Sequence, residues 1–234
     1  MNAHYGPLLA LALIAPAYAA TDVVNHAATP AVTQVATRAV NSANAANSAN
    51  KSAVDVTASA RAKVAQFLDW ERQVEPSGIY QAKLGGALPA IVSDELICLL
   101  NATSAVREMA TRDNPDEKPP FVEGNPFLPN AWERPLGSEI LSARAVAGSR
   151  DRSEVKVRFI YGEPGTALND VGGTFRYTSI YRVVEGAQGA RITDIDAGGS
   201  CDFCQSGSLR AALYDTLATY PAAGAERCKA LANK

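Results

Sequence analysis

Apolar positions fall with a helical period in the stretch that begins near Ser59. Val64, Phe67, Leu68 and Val74 lie close to one face, with Trp70 beside it. Pro76-Ser77-Gly78 ends that helix. A second helix is predicted from Ser93, whose hydroxyl can cap it. Asp94 and Glu95 follow in the first turn, where the helix dipole favours anions. Leu96, Leu99, Leu100, Thr103 and Val106 form its buried stripe.

The period then changes from helical to alternating. Four strands are predicted: Glu139–Val146, Glu154–Tyr161, Gly173–Val184 and Ala190–Asp196. In the second, Val155, Val157, Phe159 and Tyr161 alternate with Lys156, Arg158 and Ile160. In the third, Phe175, Tyr177, Tyr181 and Val183 share one face. Gly148-Ser149 and Gly186 to Gly189 mark short turns, so successive strands are antiparallel neighbours in a meander. A closing helix carries Leu209, Leu213, Thr216 and Leu217, and a short tail carries Cys228. The order predicts an α+β fold, with N-terminal helices on one face of a four-stranded antiparallel meander and a C-terminal helix closing it.

Two stretches break the periodicity. Residues 113–137 hold Pro115, Pro119, Pro120, Pro126, Pro129 and Pro135, which makes a loop, yet also Phe121, Phe127, Leu128 and Trp132, which should pack. Residues 20–58 are rich in Ala, Asn and Ser, with Asn41, Asn44, Asn47 and Asn50 spaced by three. No Leu, Ile, Phe or Trp lies between Ile14 and Phe67, so this stretch reads as a disordered or weakly helical spacer.

Ahead of it, residues 1–21 lack Lys, Arg, Asp and Glu and contain the apolar run from Pro7 to Ala15. Ala17-Tyr18-Ala19 has the small-x-small spacing of a signal-peptidase site. The run is too short to span a bilayer. Residues 1–19 therefore read as a signal peptide, and 59–234 as a single domain with a C-terminal tail, exported to the periplasm or secreted. The net charge of −2 over 234 residues provides no basic field for nucleic acid.

Several stretches resemble an exported bacterial family known as domain of unknown function 3828, which is similar to nuclear transport factor 2. They are Phe67-Leu68-Asp69-Trp70, Ser93-Asp94-Glu95-Leu96, Asn125-Pro126-Phe127, Ile192-Thr193-Asp194-Ile195, and Ser208 to Leu213. The resemblance covers roughly 60–220. It implies a cone-like domain of helices on a curved sheet and assigns no catalytic residues. It does not extend to the cysteines or the Asn-rich leader.

Export changes how Cys98, Cys201, Cys204 and Cys228 are read, because an even count in an oxidising compartment implies disulfides. Three pairings are open. The favoured one joins Cys201 to Cys204 and leaves Cys98 for Cys228. That second bridge would contribute on the order of 4–5 kcal/mol in the chain-entropy model. As a catalytic dithiol, Cys201-Asp202-Phe203-Cys204 follows the last predicted strand rather than opening a parallel unit. Asp202 also disfavours a neighbouring thiolate. A zinc site would need a second ligand pair that the chain lacks.

The two histidines, His4 and His26, fall in the signal and the spacer, so no histidine-based catalytic group belongs to the domain. Asp194 and Asp196 share a strand face as paired acids or as solvated ones. Lys156, Arg158, Arg176, Arg182 and Arg191 form either a basic patch or a face neutralised by Glu139, Glu154 and Glu185.

These observations favour a binding module over an enzyme, with an envelope protein or a small ligand as partner and no cofactor or metal. One alternative is a small-molecule pocket between sheet and helices, lined by Tyr161, Phe175, Tyr177 and Tyr181, with Phe127 and Trp132 on its rim. The other is a thiol–disulfide oxidoreductase using Cys201 and Cys204.

Overall fold

The computed structural model describes residues 55–80, 84–201, 204–220 and 224–232. The signal peptide and most of the spacer expected from the sequence lie outside the described residues. Helix α1 covers 55–74, so the helical period is already running at Asp55, ahead of Ser59. Ala60, Val64, Phe67 and Trp70 are its buried apolar positions. A 3-10 turn, Leu88–Ala90, leads into α2, Asp94–Asp113, and Ser93 caps α2 by accepting a hydrogen bond from Leu96 N at 3.2 Å.

The sheet has five antiparallel strands in sequence order: β1 Gly137–Ala145, β2 Arg152–Gly162, β3 Thr174–Gly186, β4 Gly189–Gly198 and β5 Ser206–Ser208. The first four match the expected meander. The fifth is a correction to the four-stranded expectation. Ser206-Gly207-Ser208 has no apolar alternation and so no strand signal. It becomes a strand because the chain reverses at Cys201–Cys204 and lies against the end of β4, with Asp196 opposite Ser208. Helix α3, Leu209–Ala218, starts at once from the cap Ser208. The short tail that carries Cys228 contains a further helix, α4, Ala225–Lys229.

One core holds the fold. Val155, Val157, Phe159 and Tyr161 of β2 join Tyr181, Val183, Ile192 and Ile195 of β3 and β4 on one face. Val64 and Phe67 of α1, Leu96 and Leu99 of α2, and Leu209, Leu213 and Leu217 of α3 fill the same core. Phe67 packs on Tyr181 at 5.6 Å between ring centroids. Burying a side chain of this size contributes roughly 1.5–3 kcal/mol.

Two polar ties and two disulfides fasten the elements to one another. Buried Glu95 of α2 accepts hydrogen bonds from Arg210 Nη2 at 2.5 Å and Tyr214 OH at 2.6 Å, both on α3. Desolvation first, then the bond to Glu95, push the Tyr214 hydroxyl up to about 12. Asp194 of β4 accepts from Arg182 Nη1, Ser208 Oγ and the Arg210 amide, at 2.9, 2.8 and 3.0 Å. A bulge at Thr193 puts Arg182 directly across from Asp194, and Arg182 also reaches Asp196 at 3.0 Å. Cys98 of α2 is bridged to Cys228 of α4, and Cys201 to Cys204.

Candidate functional site

The C-terminal end of α1, the chain from Glu123 to Ser138, and the turn after β2 enclose a cleft of about 800 Å³. Its position follows from local rules. Helix α1 stops at Val74, and Glu75 then adopts a left-handed backbone with φ of 46°, where its amide donates to Glu71 O at 2.8 Å. A non-glycine residue held there stores strain of about 1 kcal/mol. Glu75 accepts an ion pair from Arg134 at 2.6 Å across the cleft wall.

The facing loop is built on two asparagines. Asn125 Oδ1 accepts from Phe127 N, and Asn130 Oδ1 accepts from Trp132 N, each at 3.1 Å. Both are side-chain turns of the kind asparagine favours. The Asn125 amide also donates to Ala131 O at 2.7 Å, which closes the loop on itself. Phe127 anchors it by packing edge-on against Phe67 and Trp70, at 5.5 and 5.6 Å.

Glu71 is the chemical centre of the cleft. It is only 7% exposed, yet it lines the cavity. Asn125 Nδ2 donates to its Oε1 at 2.7 Å. Burial raises its pKa. The Asn125 bond and the Arg134 and Arg72 charges act the other way, while Glu75 adds to the rise. A buried carboxyl with increased proton affinity in a cleft marks a candidate functional site. Such a group can hold a cation, or take up and release a proton. At the outer edge Trp132 is 55% exposed. Lys118 Nζ lies 5.4 Å from the Trp132 ring centroid and 3.0 Å from Glu123 Oε2.

Trp132 is the one residue of the six-aromatic set proposed from the sequence that lines this cleft. Phe127, Tyr161 and Tyr181 are fully buried in the core. Tyr161 stacks on Phe175 at 5.4 Å and meets Tyr177 at 5.9 Å, so these three form one cluster at the end of β2 and the start of β3. Phe175 is 40% exposed there. Among the described residues the Tyr181 hydroxyl has no hydrogen-bond partner, and burial holds its pKa far above the ordinary value. Tyr161 OH accepts from Asn130 N at 3.4 Å, and its pKa is raised by the same cause.

The cysteine turn belongs to the same region. Cys204 pairs with Asn130 in an antiparallel bridge, and Gln205 N donates to Pro129 O at 2.7 Å. Gln205 Nε2 reaches Asn125 O at 3.4 Å. The C-x-x-C turn thus clasps the loop that carries Glu71's partner.

Four of the five basic residues already have partners. Arg158 pairs with Glu139, and Arg182 with both aspartates. Arg176 and Arg191 donate to backbone carbonyls. Asp194 is buried within its bonds rather than solvated at a strand end. Among the described residues no group of three or more His, Cys, Asp or Glu is arranged to hold a metal, and no helix is long and apolar enough to cross a membrane.

Sequence reasoning missed Glu71 and Asn125. A signal for Glu71 existed: positions 60, 64, 67 and 71 follow the i, i+4, i+7 spacing of the buried stripe, and the last is a glutamate. Compared with known protein families, curated proteins and solved structures, the chain has no match.

Proposed function

We propose that this protein is an exported, disulfide-stabilised module of the bacterial envelope that binds a small ligand in the cleft beside Glu71. Membership of the exported family it resembles is part of the proposal. The observation that carries it is a buried carboxyl, held by Asn125, on the wall of a cleft of about 800 Å³ whose edge exposes Trp132. That volume suits a small molecule. Two disulfides support the assignment to an oxidising compartment.

The clasping role of Cys201–Cys204 favours a fastening over a redox centre, since the bridge orders the cleft's own loop. A thermal-shift screen of envelope metabolites tests the binding function. A ligand is expected to raise the wild-type Tm by several degrees and to lose that effect in Trp132→Ala. A screen in which no compound shifts the wild type, or in which Trp132→Ala shifts equally, overturns it.

A further inference from the structure

The proposal that the cleft binds a ligand leaves its chemistry open, and the charges on its wall narrow that chemistry. Four carboxylates line the cleft, those of Glu71, Glu75, Glu123 and Glu133, against two guanidiniums, those of Arg72 and Arg134. The guanidiniums are already engaged. Arg134 is paired with Glu75 at 2.6 Å, and Arg72 is turned to Asp69 at 2.7 Å. Among the described residues, Glu71 and Glu133 have no ion pair. An anionic guest would bring like charge toward Glu71 and would have to draw Arg72 or Arg134 away from its carboxylate.

A second feature is independent of that count. The chain already places an ammonium group at the cleft's edge. Lys118 Nζ is seated between the Trp132 ring at 5.4 Å and Glu123 Oε2 at 3.0 Å. An aromatic face together with a carboxylate is the recognition geometry for an alkylammonium ion. Lys118 is largely exposed, at 61%, so a guest can displace it.

We infer that the cleft takes an organic cation, a small alkylamine or diamine, whose ammonium groups are received by Glu71 and by the Trp132–Glu123 edge in place of Lys118. This rests on the cleft being a binding site.

The inference has a pH signature. Glu71 is faced by Asn125 and Arg134 from the loop and by Arg72 and Glu75 from its own helix end. Tyr161 and Tyr181 also feel its charge, and burial keeps both in the neutral form. An ammonium beside Glu71 favours the ionised carboxylate. Binding therefore strengthens as pH rises through the raised pKa of Glu71, and weakens as pH falls through it.

The test is calorimetric titration of the full mature chain with cadaverine, with glutarate and pentanediol as anionic and neutral probes of the same length. Cadaverine is expected to bind saturably, and the other two not. Glu71→Gln and Trp132→Leu should each weaken cadaverine by at least about tenfold. Trp132→Leu is a surface change that leaves the fold intact. Lys118→Ala should tighten binding several-fold by vacating the edge. Affinity should fall as pH is lowered through the raised pKa of Glu71.

Binding of glutarate or pentanediol without cadaverine, abolished by Trp132→Leu, would overturn the cationic assignment and leave the cleft a binding site. Full cadaverine affinity in Glu71→Gln would also overturn it. No binding by any of the three, together with a blank metabolite screen, would sink both the chemistry and the cleft.

Discussion

Glu71 and Asn125 meet at 2.7 Å although 54 residues of chain separate them. The amide satisfies a carboxyl that α1 carries into the protein, and the same amide's oxygen shapes the loop by accepting from Phe127 N. One side chain therefore serves both the charge and the architecture of the cleft. Asn125→Leu is expected to cost about 2–3 kcal/mol, because it leaves the Glu71 carboxyl and the Phe127 amide without partners. Urea denaturation checks this, and a cost under about 0.5 kcal/mol would show that the bond has no structural weight.

Glu71 also predicts how stability depends on pH. Burial raises its folded pKa above 4.5, so the folded state holds its proton more tightly than the unfolded chain does. The charged carboxylate is then a cost to folding. That cost is absent below the unfolded pKa and fully present above the folded one. Glu71→Gln should be more stable than wild type at neutral pH, and the advantage should vanish on acidification. Paired denaturation curves across that range test the sign, and an advantage that grows toward acid would contradict it.

The two disulfides should differ in weight. Cys98 and Cys228 are 130 residues apart and join α2 to α4, whereas Cys201 and Cys204 are three apart. In the chain-entropy model the first contributes on the order of 4–5 kcal/mol and the second about 2 kcal/mol. Replacing the first pair with serines should lower Tm the more. Replacing the second should instead speed hydrogen exchange at the Gln205 amide, which holds Pro129 O. Equal Tm losses with unchanged exchange would argue against the clasp.

Gly198 ends β4 where the backbones crowd. A Cβ there would lie 2.0 Å from Thr178 O, on the neighbouring strand. Gly198→Ala should cost about 1–3 kcal/mol by forcing β3 and β4 apart. A variant with unchanged melting would mean the strands yield freely at that point.

The proposed export predicts the start of the mature chain. Cleavage after Ala19 should leave Ala20 as the N-terminal residue of protein recovered from the envelope. Intact-mass measurement checks it, and a full-length chain retained in the cytoplasm would remove the export assignment.

The sheet was legible because it has one buried face. Alternation at Val155, Val157, Phe159 and Tyr161 marks β2 without any knowledge of its neighbours, and the observed strand exceeds the expected span by two residues at one end and one at the other. The Ser93 cap was legible for a similar local reason, since hydroxyl and amide lie three residues apart. The sequence points to the tyrosines as a pocket lining and to Phe127 as its rim, but Tyr161, Tyr181 and Phe127 are packed in the core. Alternation tells which side of a sheet a residue is on. It does not tell whether that side meets a packed helix or a cavity.

The sequence alone determined the α+β order of elements, the four main strands, the capped second helix, and an even set of cysteines. Each depends on contacts within a few residues or on a period along one element. Tertiary structure alone decided that β5 exists, that Cys98 meets Cys228, and that the C-x-x-C turn clasps the Asn125–Asn130 loop. It alone turned a glutamate on the α1 stripe into the wall of a cleft. A buried carboxyl needs a partner, and that partner is brought within 2.7 Å only when distant segments pack around one core.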